Sequence, residues 1–247
     1  MEARTRFRLR VACGLTGPVV FTAAWVAGTL RQAGYSIAEE HLSGLAAPDA
    51  RNPEIMIAGF LGLGACSIAF GSALEEALGG RERAGLGPAL VRAAGLGTIA
   101  AGLLRRDQML LHPPGGATGQ SWHNHGHDLA SGLLYASLLV APLLLARRFR
   151  GDPEWDALRL PALATTAGSA ALLGLFWSQA LAQWGGVIQR VIATVPLGMM
   201  AALAVRLLSR EPSRERSSRV EDTPEALHPG PVSPAARRGL SRRGRRP

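Results

Sequence analysis

Histidine, aspartate, serine and a buried-looking arginine are the side chains with chemistry to offer, and they gather in three stretches. The densest is Ser121-Trp122-His123-Asn124-His125-Gly126-His127-Asp128. A helix starting at Ser121, a residue type suited to N-capping, sets His123 and His127 one turn apart on one face. Two imidazoles at that spacing, with a carboxylate from Asp107 or Asp128, match the donor set of a zinc site. The plainer alternative puts the histidines in interfacial water, hydrogen-bonded to loop backbone, and both readings stay open. The second stretch, Glu39-Glu40-His41-Leu42-Ser43, adds a histidine, a hydroxyl and two carboxylates. No strand-turn-helix elbow surrounds Ser43, so nucleophilic catalysis there has no motif behind it. The third is Gln189-Arg190 inside an apolar run. A guanidinium in such a place either finds a partner, for which Asp107 and Asp128 are the natural choices, or reaches out to lipid headgroups.

The elements that must position these groups are apolar runs: Val11–Leu30, Ile55–Leu78, Pro88–Leu104, Leu129–Ala146, Leu160–Ala182 and Val187–Leu208. Each reaches or approaches the roughly 20 residues that a helix needs to cross a bilayer. Arg92 interrupts the third, which works as a span only if that guanidinium snorkels to the nearer interface. Small residues at four-residue spacing, Ala58 with Gly62 and Gly97 with Ala101, let helices approach closely where lipid supplies no hydrophobic drive. Gln179, placed inside the fifth run, is expected to bond across helices or to face a watery path, the latter being what a transporter would need. The first run follows Arg4, Arg6, Arg8 and Arg10 as a signal peptide would, but its length, Gly17-Pro18 within it and the later runs favour a retained span.

Composition agrees. The 247 residues are 47% hydrophobic and only 18% charged, with the charges in blocks between the runs. All 27 basic residues are arginine, giving a net charge of +9, and no aromatic-interleaved basic patch suggests nucleic acid. Cys13 and Cys66 both fall inside apolar runs, so no disulfide framework is expected. With the N-terminus inside, only Arg31, Arg51, Arg105, Arg106 and Arg190 face outward, which fixes the expected orientation as both termini cytoplasmic in a cell membrane.

In order and at similar separations, a set of short motifs resembles the bacterial six-span membrane proteins of domain of unknown function 998. They are Gly14-Leu15-Thr16-Gly17-Pro18, Leu42-Ser43-Gly44-Leu45-Ala46, Asp107, the pair His123 and His127, and Gln189-Arg190, and the likeness runs from about Gly14 to Leu208. Gly44 stands where the family leads one to expect an acid, and Arg105-Arg106 replaces an aromatic-proline lead into Asp107. The resemblance implies fold and location, and it groups Ser43, Asp107, His123, His127 and Arg190 on the outward side; the family carries no settled activity.

The sequence therefore predicts an all-α, six-helix transmembrane bundle over residues 11–208, preceded by a basic N-terminus at 1–10 and followed by a basic disordered tail at 209–247. The bilayer is its partner, and anionic lipids suit the tail. An outward polar site is expected from Asp107, His123, His127 and Arg190, with His41 and Ser43 beside it. The leading expectation is binding or sensing of a lipid headgroup, ion or small solute. A metal-dependent lipid hydrolase or transferase, with zinc on His123, His127 and Asp107, is the alternative, and a small-solute transporter the third.

Overall fold

A computed structural model describes residues 1–109 and 120–221, with side chains as far as Arg210. The described residues are helical, without strands. By its internal contacts the chain divides into two units, Met1–Ser209 and Arg210–Pro247. Residues 209–221, expected in the tail, continue a helix, and the rest of the expected tail lies outside the described residues.

Among the described residues five helices are long and apolar enough to cross a membrane: α1 (Glu2–Arg31), α2 (Pro53–Ala77), α5 (Trp122–Phe149), α6 (Arg159–Ser178) and α7 (Gly185–Glu221). Between α2 and α5 lie a single turn, α3 (Arg81–Ala84), and the shorter apolar α4 (Gly87–Leu103). At 1.5 Å per residue α4 is roughly 25 Å long, a little short of the hydrocarbon thickness. Large apolar side chains face outward along the bundle, among them Val19, Leu129 and Leu160, each more than 60% exposed. An outer surface of that kind suits lipid and would be costly in water.

Local sequence sets the helix ends. Pro53 opens α2, where its missing N–H costs nothing, and Ser121 caps α5 by accepting from the Asn124 N–H at 3.2 Å, as its residue type predicts. α6 stops earlier than the hydropathy suggests. Gln179 takes a left-handed conformation (φ 56°) and its amide donates to the Phe176 carbonyl at 2.6 Å. It is thus an exposed cap outside the helix, and among the described residues its side chain makes no bond across helices.

The helices pack in a ring. α2 and α4 touch backbone to backbone, since a Cβ on Gly64 or on Gly95 would lie 2.6 Å from the other's carbonyl oxygen. Gly97 allows the same closeness between α4 and α5, as its spacing with Ala101 anticipates. Gly14 of α1 meets Ala204 of α7, and Leu173 of α6 packs with Ile188 and Ile192 of α7. Arg92 does not merely snorkel: it pairs with Glu75 at 2.7 Å.

Candidate functional site

The chain leaving α1 folds over one end of the bundle and is pinned to the start of α7. The N–H groups of Gly186 and Val187 donate to the Ala38 carbonyl at 2.8 and 3.3 Å. This approach requires glycine, because a Cβ at 186 would sit 2.5 Å from the carbonyl oxygens of both Ile37 and Glu40. One turn along, Arg190 is 7% exposed. Its Nη1 donates to the carbonyls of Ile37 (3.0 Å), Glu40 (3.0 Å) and Gly186 (2.8 Å), and its Nη2 to the Tyr35 hydroxyl (2.9 Å). The guanidinium also lies over the Trp25 and Tyr35 rings, 5.4 and 5.6 Å from their centroids. The expected partners Asp107 and Asp128 are therefore replaced by main-chain oxygens, which turn inward over residues 37–40 and supply the negative ends that a buried cation needs. Burial raises the pKa of the Tyr35 phenol, although Arg190 pulls it down. The protonated hydroxyl faces the His41 carbonyl at 2.9 Å as donor.

A second crossing joins this loop to the chain after α4. Arg106 donates from Nη1 to His41 Nδ1 at 3.1 Å, so the His41 proton belongs on Nε2. Burial first, then the charges of Arg106 and Arg190, lower the His41 pKa to about 4, and the ring is neutral at pH 7. Met109 N–H donates to Asp49 at 2.8 Å. Gly44 packs directly on the Met109 carbonyl, which a Cβ would strike. That contact explains glycine here: an acid at 44 is incompatible with this path of the two loops.

At the start of α5 a compact network forms. Asp107 accepts from the Ser121 N–H at 2.7 Å and from the Ser121 hydroxyl, and these bonds hold its carboxyl below the usual carboxylate range. Asn124 accepts from the Asp107 N–H and donates to Asp128, both at 3.2 Å. His123 is exposed and stacked on Trp122, with centroids 3.7 Å apart. His127 is buried instead, its Nδ1 2.9 Å from the Ala101 carbonyl and 3.0 Å from that of Leu104. The expected zinc set does not assemble, because one imidazole faces out, the other is turned into the bundle, and Asp107 is bound to Ser121. Among the described residues no three His, Cys, Asp or Glu side chains gather as metal ligands.

What the loops enclose is a pocket of about 290 Å³ lined by His41, Ser43, Arg106, His127, Asp128, Tyr135 and Gln189. Below it, within the ring of helices, lies a largely apolar cavity of about 60 Å³, walled by Phe21, Phe60, Leu63, Leu134, Leu138 and Leu197. Ser43, His127, Ser131, Tyr135 and Gln189 line both spaces and form the partition between them. Gln189 is fixed there, accepting from the Leu42 N–H at 2.7 Å and donating to the Tyr135 hydroxyl at 3.2 Å. Several groups on the partition are unspent, the His127 imidazole and the Ser43 hydroxyl among them. Two carbonyls beside Nδ1 place the His127 proton there and leave Nε2 as an acceptor without a partner among the described residues, and the Ser43 hydroxyl likewise makes no hydrogen bond.

Of the residues singled out from sequence, His41, Ser43 and His127 meet in this pocket, Arg190 builds the loop over it, Asp107 fastens the start of α5, and His123 stays outside. Sequence reasoning passed over Arg106, Ser131, Tyr135 and Gln189 as lining. A signal was present for two of them: His127, Ser131 and Tyr135 follow one another at four-residue spacing and share a helix face. No curated protein and no solved structure matches the chain. A family profile does match, over residues 15–206, and the chain belongs to that family, described as protein of unknown function (DUF998).

Proposed function

We propose that this is a six-span membrane protein with both termini in the cytoplasm and that it binds an amphiphile, head in the pocket beneath the outward loops and apolar end toward the inner cavity. The observation carrying this reading is the partition: polar groups left unspent, Ser43 hydroxyl and His127 Nε2, between a polar pocket and an apolar cavity. Exposed Trp122, Trp177 and Trp184 all sit at this end of the bundle, the level at which aromatic side chains mark the membrane–water interface. α4 counts as the sixth span with Arg92 paired at its cytoplasmic end. Fusions to the C-terminus test the orientation: a reporter that folds only in the cytoplasm is active, and a phosphatase that needs export is not.

Mass spectrometry of molecules extracted from the detergent-purified protein tests the binding. The wild type carries a near-stoichiometric amphiphile that Ser131→Phe, which fills the pocket floor, excludes. Folded wild type that stays empty after incubation with a total lipid extract overturns the reading. The same two unspent groups favour a second reading, hydrolysis of the bound molecule with Ser43 as nucleophile and His127 as base. Covalent labelling of Ser43 by a fluorophosphonate, lost in His127→Gln, is what it requires; absence of labelling leaves binding alone.

A further inference from the structure

Arg106 and Asp128 face the same pocket without touching each other. Among the described residues Arg106 spends one of its N–H groups on His41 and forms no ion pair, and Asp128 accepts one hydrogen bond, from Asn124. They are nevertheless close enough that Asp128 is the leading charge opposing the fall in the Arg106 pKa that burial causes. Elsewhere the fold brings such partners into contact, with Arg10 and Glu76 at 2.6 Å and Arg92 and Glu75 at 2.7 Å. A cation and a carboxylate that share a pocket without pairing leave the half-buried guanidinium with N–H groups to spare and the exposed carboxylate open to a ligand.

The remaining charges do not select one sign of ligand. His41 is neutral and feels Arg106 and Arg190, whereas Arg106 feels Glu40 and Asp107 besides Asp128, so charges of both signs surround the pocket. A simple anion would satisfy Arg106 and be repelled by Asp128, and a simple cation would do the reverse. A molecule carrying both charges satisfies both.

We infer that the pocket takes a zwitterionic phosphate–ammonium headgroup, as in phosphatidylethanolamine, with the phosphate on Arg106 and the ammonium on Asp128. This rests on the amphiphile-binding reading above. Arg106 offers the forked donors that match phosphate oxygens, and the Ser43 hydroxyl adds a further donor from the partition. The inner cavity of about 60 Å³ holds only a few methylenes, so most of the acyl chains stay in the bilayer. The pocket has a side suited to them: a Cβ on Gly132, which lines it, would meet nothing within 4 Å, and Trp177, which also lines it, is 67% exposed.

The test titrates the detergent-purified full chain with phosphatidylethanolamine or with phosphatidylglycerol, which has the phosphate but no amine, and counts adducts by native mass spectrometry. Wild type retains phosphatidylethanolamine about tenfold better, the size of one charged hydrogen bond. Asp128→Asn, at an exposed position that folding tolerates, abolishes the preference, and Arg106→Gln weakens both lipids. Soluble glycerophosphoethanolamine is the competing arm: displacement at equal concentration assigns the site to the free headgroup, and failure to displace assigns it to the lipid. Equal retention of the two lipids by wild type, or an unchanged preference in Asp128→Asn, overturns the zwitterion assignment while leaving amphiphile binding intact. Retention of neither lipid overturns both.

Discussion

At the end of the bundle where α1 begins, arginines and acids meet directly: Arg10 with Glu76 at 2.6 Å, Arg92 with Glu75 at 2.7 Å, Arg148 with Asp152 at 3.0 Å. Arg148 also donates to the Arg83 carbonyl, and Trp155, 2% exposed, stacks on Phe149 to close the surface. At the opposite end Arg190 is held by carbonyls, Arg106 leans on a neutral histidine, and tryptophans stand exposed around an open pocket. The first end pairs its arginines with acids; the second holds its buried arginine on backbone carbonyls and keeps side-chain valences unspent. That division does not follow from residue types alone, since both ends are rich in arginine.

The sharpest way to break the comparison is at Arg190. Replacing it by alanine leaves buried carbonyls of Ile37, Glu40 and Gly186 without their donor, and removes the cation from Trp25 and Tyr35. A loss of about 3 kcal/mol is expected from charged hydrogen bonds of this kind, too much for the loop to remain in place. Thermal unfolding in detergent reads it. A melting temperature equal to that of wild type would mean that the loop is held by something other than this arginine.

Gly186→Ala attacks the same junction through shape. The added methyl would meet two rigid backbone oxygens at 2.5 Å, and relief requires the loop to lift, at about 1–3 kcal/mol. Lipid retention should fall together with stability, because Glu39–His41 move with the loop. Gly198→Ala in the same helix, where a Cβ has open space, is the control and should change neither.

Hydropathy made the helices legible, since alternation of apolar runs with charged blocks is a direct consequence of the bilayer's dimensions. The site was legible only in its parts. Spacing put His123 and His127 on one face, but a face is wide, and the side of α5 that lines the pocket proved to run through Asn124, His127, Ser131 and Tyr135. Arg190 announced a partner, and carboxylates were the obvious choice because sequence displays side chains and hides where main-chain carbonyls point. Arg106 stood out as a departure from the family, and its place against His41 depends on two loops meeting, which no local pattern encodes.

A smaller effect separates the ends by pH. His41 has a folded pKa of about 4 against 6.5 ordinarily, so the folded state binds fewer protons than the unfolded chain. Its contribution is complete above pH 6.5 and is lost as pH falls toward 4. His41→Asn, whose side-chain oxygen still accepts from Arg106, should show a shallower decline of melting temperature across that window. Identical slopes would remove His41 from the account of the loop end.

The smallest expected effect lies at the closed end. Glu76→Gln breaks the pair with Arg10, but the two side chains are 56% and 35% exposed, where water already solvates both charges. Pairs so placed contribute about 0.2–1 kcal/mol, and salt reduces even that. The melting temperature should therefore shift by little, and lipid retention not at all, since nothing at this end touches the pocket. A fall in retention with Glu76→Gln would show that the ends are coupled along the helices, and the comparison would then describe two states of one device rather than two independent jobs.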